Sequence, residues 1–95
     1  MAVDLDQRVS VPRAVIFREV DDEAVILNLA NHCYYGLNGS GTRMLKALQE
    51  ASSIRAAMAT LLDGYEVEPE RLREDLSTFV EELLSKGMLE LGGGR

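Results

Sequence analysis

The sequence predicts an α+β domain: an N-terminal three-stranded antiparallel sheet followed by three helices. Three observations predict it. The first third of the 95 residues holds short runs of β-branched and aromatic residues separated by polar breaks. The remainder carries apolar residues at a helical spacing of three and four. Between the two lies Tyr34-Tyr35-Gly36-Leu37-Asn38-Gly39-Ser40-Gly41, a short aromatic strand that turns directly into a helix.

The first strand is read over Ala14 to Val20, where Val15, Ile16, Phe17 and Val20 favour a pleated backbone. Asp21-Asp22-Glu23 is a polar break suited to a turn, and Ala24 to Leu29 is a second apolar run; together they predict a β-hairpin. Asn28 interrupts that run and is read as facing solvent. Asn31-His32 is a second turn, and Cys33 to Leu37 is the third strand. Upstream, Val9 to Val11 is β-prone but stopped by Pro12, which leaves a short edge strand or an arm.

The first helix opens near Asn38 or Ser40, both able to cap free N–H groups, with Met44, Leu45 and Leu48 on its apolar face. Ser52 or Ser53 caps the second, whose Ile54, Ala57, Met58, Leu61 and Leu62 recur at i, i+3, i+4, i+7 and i+8; Asp63-Gly64 ends it. The third begins at Pro69 and carries Leu72, Leu76, Phe79, Val80, Leu83 and Leu84, with Gly87 as its stop. At 100° per residue that stripe is about 140° wide, more than the roughly 100° of one packed face. The surplus is either deeper burial or a groove-lining flank, formed by Phe79 or by Val80 with Leu84. Met88 to Leu91 packs back onto the core. Residues 1–8 are read as a flexible N-terminus, 9–91 as one domain and 92–95 as a flexible tail.

Composition narrows the function. The net charge of -6 opposes nucleic-acid binding, where neutralising phosphates supplies most of the affinity. A single cysteine, Cys33, excludes an internal disulfide and a zinc site, and fits a reducing cytoplasm. No apolar run reaches membrane-spanning length, and Met1 to Ser10 lacks the apolar stretch of a secretory signal. His32 and Cys33 are neighbours, so in a strand they point to opposite faces and do not form a nucleophile–base pair. Cys33 is read as a small buried apolar residue and His32 as a turn residue. Gly36, Gly39 and Gly41 lack the lysine and serine of a phosphate loop. The acids from Glu66 to Asp75 suit a helix start and do not converge as metal ligands.

A short strand at a sheet edge offers free backbone groups to another chain. By period-two alternation Tyr35 and Leu37 share the inner face and Tyr34 the other. Tyr34, Tyr35, Gly36 and Leu37, with Leu72, Leu76 and Phe79 as an apolar wall and Asp75 at its border, form the candidate peptide-binding set. No catalytic or metal residue and no cofactor is expected.

The order of these elements resembles the PqqD-like family of recognition domains for ribosomally made, modified peptides. The resemblance rests on Tyr34 to Gly41, an aromatic strand with a Leu-Asn-x-x-Gly helix opening. It also rests on Val67-Glu68-Pro69-Glu70-Arg71 before the last helix and on Leu83-Leu84-Ser85-Lys86-Gly87-Met88-Leu89 at its end. It implies a winged helix-turn-helix-like fold that binds a precursor's leader peptide as a strand added to the third strand, against the third helix. The leader is then delivered to a modifying enzyme, a leader peptidase or a radical SAM enzyme. The tyrosine pair is most similar to stand-alone members of lasso peptide pathways, with a pyrroloquinoline quinone pathway member left open. A winged-helix DNA-binding or other interaction domain is the alternative; it requires exposed Arg or Lys on an outer helix face, where the second helix offers mainly Arg55 and the third mostly acids. Oligomeric state, and whether the Val9–Val11 arm or a second copy covers the strand edge, are open at this level.

Overall fold

Asp21 and Asp22 form a two-residue turn, with Asp21 in the left-handed region (φ 56°) that a short polar side chain tolerates. The turn joins β2 (Val15–Val20) to β3 (Glu23–Asn28), and β3 pairs antiparallel with β4 (Cys33–Leu37). This is a computed structural model, and it describes residues 5–64 and 66–92. The sheet order is β2-β3-β4, so β4 is an edge. Three helices follow: α1 (Gly39–Glu50), α2 (Ile54–Gly64) and α3 (Pro69–Ser85).

A second, two-stranded sheet joins the ends of the domain. β1 (Val9–Ser10) pairs with β5 (Glu90–Leu91), Val9 opposite Leu91. The Val9–Val11 segment is thus occupied at β5 and does not cover β4. Within the segment read as a flexible N-terminus, residues 5–8 are tied down. The carbonyls of Leu5 and Gln7 accept from the Arg55 and Ile54 N–H groups at 2.7 and 2.9 Å, at the start of α2 where helix donors lack partners. The tail beyond Gly92 lies outside the described residues.

The core forms where the sheet's inner face meets the helices. Ile26, Leu45, Ile54, Leu76, Val80, Leu83 and Met88 are its largest fully buried side chains. The wide α3 stripe is therefore mostly burial, with Leu76, Val80 and Leu83 wholly enclosed. α3 ends as the Gly87 stop requires: Gly87 has φ +74°, its N–H donates to Leu84 O, and Met88 N–H donates to Leu83 O at 2.8 Å. This pairing closes the last carbonyls of the helix and needs a left-handed residue.

Two expectations are corrected. Asn28 does not face solvent; it is 6% exposed. Its Nδ2 donates to Gly87 O at 2.8 Å, and its Oδ1 accepts from Ala30 N–H at 2.8 Å. A buried amide with both ends satisfied is tolerated, and this one fastens the sheet to the end of α3. Cys33 is exposed, not buried. It shares the parity of Tyr35 and Leu37 but lies at the far end of the edge strand.

Candidate functional site: the free edge of β4

Backbone register decides which groups β4 offers. Leu29 N–H donates to Ala14 O (2.9 Å), which makes Ala14–Leu29 a hydrogen-bonded pair of the β2–β3 ladder. In an antiparallel sheet such pairs alternate. Glu23, Val25 and Leu27 therefore also bond to β2, and Ala24, Ile26 and Asn28 face β4. Their partners are Leu37, Tyr35 and Cys33. The N–H and C=O groups of Tyr34 and Gly36 consequently point outward. Among the described residues no strand pairs with that edge.

The Leu-Asn-x-x-Gly sequence ends the edge sharply. Asn38 Oδ1 accepts from Gly41 N–H at 2.9 Å, capping α1. Asn38 O accepts from the Thr42 hydroxyl at 2.9 Å. Gly41 sits close against the strand's last residue: a Cβ there would lie 3.2 Å from Leu37 Cδ2, a tight contact. Strand and helix thus meet without a linker.

A cleft of about 330 Å³ lies between this edge and α3. β4 contributes Tyr35, Gly36 and Leu37, α1 contributes Met44, and α3 contributes Asp75, Thr78, Phe79 and Glu82. The groove flank is thus the Phe79 side, not Val80 with Leu84. Of the expected residues, Tyr35, Gly36, Leu37, Asp75 and Phe79 are brought together. Leu76 is 0% exposed and adds no surface to the cleft, because its side chain is enclosed in the core. Leu72 lines a neighbouring hollow. Tyr34 is 76% exposed on the outer face of the sheet, a face that also carries exposed Ile16 and Val25.

Sequence reasoning missed Met44, Thr78 and Glu82 as cleft residues. The signal was present: Asp75, Thr78, Phe79 and Glu82 stand at i, i+3, i+4 and i+7 and share a face of α3. Tyr35 bridges the cleft's two walls. The Glu82 carboxylate lies close enough to act on its hydroxyl, and Lys86 Nζ lies 5.6 Å from its ring centroid. Burial raises the Tyr35 pKa above its ordinary 10.0, and the neighbouring Glu82 carboxylate adds to the shift. Asp75 pairs with Arg71 at 3.4 Å, but both side chains are exposed, so the pair is worth only ~0–1 kcal/mol and exchanges readily.

The family model for Coenzyme PQQ synthesis protein D (PqqD) matches residues 23–89, more than half of the chain. The chain belongs to the PqqD family. Among solved structures, "TbiB1 in Complex with the TbiA(beta) Leader Peptide" is similar with a TM-score of 0.79 and 29% identity, covering 90% of this chain and 99% of that one. "Lasso peptide synthetase B1 complexed with the leader peptide" shares the fold with a TM-score of 0.77 and 22% identity, covering 87% of this chain and 98% of that one. No curated protein sequence matches the chain significantly.

The remaining chemistry is sparse. His32 sits in the β3–β4 turn with φ 62°. Arg55, the cation that a DNA-reading role for α2 would need, is engaged by Asp6 at 2.9 Å. Among the described residues no helix is long and apolar enough to cross a membrane.

Proposed function

We propose that this PqqD-family chain binds the leader segment of a ribosomally synthesised precursor peptide. The leader adds as a strand to β4 and rests against α3, and the domain then delivers it to a modifying enzyme or leader peptidase. The observation that carries this reading is the outward set of Tyr34 and Gly36 backbone groups beside the Tyr35–Phe79 cleft. The similarity to TbiB1, solved with a leader peptide at 29% identity, supports it.

The physics divides affinity from selectivity. Backbone pairing at Tyr34 and Gly36 accepts many sequences, while the cleft side chains choose among them. The role in this reading is presentation: the site is built from an unpaired edge, an apolar floor and a tyrosine at the cleft wall. An exposed Cys33 thiol without a disulfide partner fits a reducing cytoplasm.

Fluorescence-anisotropy titration with labelled leader peptides, the TbiA(beta) leader among them, tests the reading. Saturable binding in the micromolar range is expected. Absence of binding to every leader would overturn it.

A further inference from the structure

A sheet with one face in water normally turns polar residues outward. The outward positions here are mostly apolar. By register, Ile16, Leu27 and Tyr34 form one cross-strand row, and Arg18, Val25 and Gly36 form the next. Val20 extends this face at one end, and Leu29, hydrogen-bonded to Ala14, extends it at the other. Six large hydrophobic side chains are exposed among the described residues. Five of them, Ile16, Val20, Val25, Leu29 and Tyr34, stand on this one face. The proposed leader site uses in-plane backbone groups of β4 and the helix side of the sheet, so it leaves the face uncovered. Exposed apolar side chains concentrated in this way mark an interaction surface.

We infer that this face is a self-association surface, covered by a second copy of the chain across a two-fold axis. Charge selects that occupant. The chain carries a net charge of -6, yet the face holds one cation and one anion, Arg18 and Glu23. Two copies therefore meet here without the like-charge repulsion that the outer surface of α3, with Glu70, Glu74 and Glu81, would impose. The two ends of the face also differ in sign: Arg13 precedes β2, and Asp21-Asp22 follow it. A two-fold axis lying between the faces and across the strands reverses the strands. The acidic turn of each copy then meets Arg13 of the other, an isologous contact. Aligned sheets pack in this manner with their faces ~10 Å apart. Three strands of up to six residues, at ~4.8 Å between strands and ~3.4 Å per residue, make a patch of roughly 14 by 20 Å. That is at the low end for a specific interface, so the dimer is weak. Face-to-face packing leaves the N–H and C=O groups of Tyr34 and Gly36 unpaired, and each copy keeps its own strand edge.

Sedimentation velocity of the purified chain over a concentration series tests this. Wild type is expected to pass from monomer to dimer with a Kd of about 10–100 µM. Ile16→Lys and Val20→Lys each place an unpaired charge in the contact and are expected to raise Kd about tenfold or more. Val20 is 62% exposed, so its variant serves should Ile16→Lys fail to fold. Leu91→Lys changes the exposed hydrophobic that lies off the face and is expected to leave Kd unchanged. Arg13→Glu and Asp22→Lys are each expected to weaken the dimer severalfold. Combined, they re-form the pair across the axis and are expected to restore it. A chain that stays monomeric about tenfold above that Kd range would overturn the second copy as occupant. A dimer indifferent to both Ile16→Lys and Val20→Lys would overturn the face as its contact. Charge changes whose effects add instead of cancelling would overturn the reversed two-fold. None of these outcomes bears on leader binding, which uses other atoms.

Discussion

Lys86 Nζ stands 5.6 Å from the centroid of the Tyr35 ring, so the first residue after α3 covers the middle residue of β4. With the Glu82 carboxylate also near its hydroxyl, the ring has charged neighbours of both signs on α3 and at its end. A side chain held in place before binding loses less entropy when a peptide arrives. Tyr35→Ala should therefore weaken leader binding about tenfold or more, ~1.4 kcal/mol or above. Tyr35→Phe keeps the ring and should lose less. Anisotropy titration checks both; equal binding by wild type and Tyr35→Ala would place the groove elsewhere.

Phe79 needs a gentler test. It is 7% exposed, and truncation of a buried phenylalanine to alanine costs ~3–5 kcal/mol, a large share of a small domain's stability. Phe79→Leu keeps most of the packing and changes the cleft wall. We expect a folded protein by circular dichroism with several-fold weaker peptide binding, and unchanged affinity would remove Phe79 from the site.

Tyr35 also carries a pH signature. Its folded pKa is raised, so the neutral phenol is favoured by the fold. The associated stability is fully present below about pH 10 and is lost as pH rises through the higher folded value. Nothing should change near neutrality. Subtracting the tyrosinate absorbance titration of Tyr35→Phe from that of wild type isolates this group, which should ionise above 10.0. Glu82→Gln should bring it back towards the ordinary value. A difference curve centred at or below 10 would contradict the Tyr35–Glu82 contact.

The Asn28–Gly87 bond predicts a stability effect far from the cleft. Asn28→Asp replaces the donor to Gly87 O with an oxygen, leaving a carboxylate facing a carbonyl in a buried site; the cost should be ~1–3 kcal/mol or more. Gly87→Ala should also destabilise, since its φ is +74° and the added Cβ would lie 3.1 Å from Asn28 Nδ2. Urea unfolding of both variants checks this. Wild-type midpoints would mean that the sheet does not depend on this fastening.

Local chemistry carried most of the fold into the sequence. The Asp21-Asp22 turn, the Asn38 cap, Pro69 at the start of α3 and Gly87 at its end act within a few residues, and each was readable there. What escaped depends on distant partners. Asn28 was misjudged because its satisfying carbonyl lies 59 residues away. The same holds for β1 and β5, which meet from opposite ends of the chain. Cys33 was misjudged because alternation gives a face but not whether anything covers it. In the site, Tyr35 and Leu37 followed from parity. The choice of the Phe79 flank depended on how α3 lies over the sheet.

Strand addition is tested most directly by amide hydrogen exchange, residue by residue, with and without a saturating leader peptide. Tyr34 and Gly36 point their N–H groups at the open edge, while Tyr35 and Leu37 already bond to β3. On binding, exchange at Tyr34 and Gly36 should slow strongly while Tyr35 and Leu37 change far less. Saturable binding that leaves Tyr34 and Gly36 exchanging as fast as in the free protein would contradict pairing along β4.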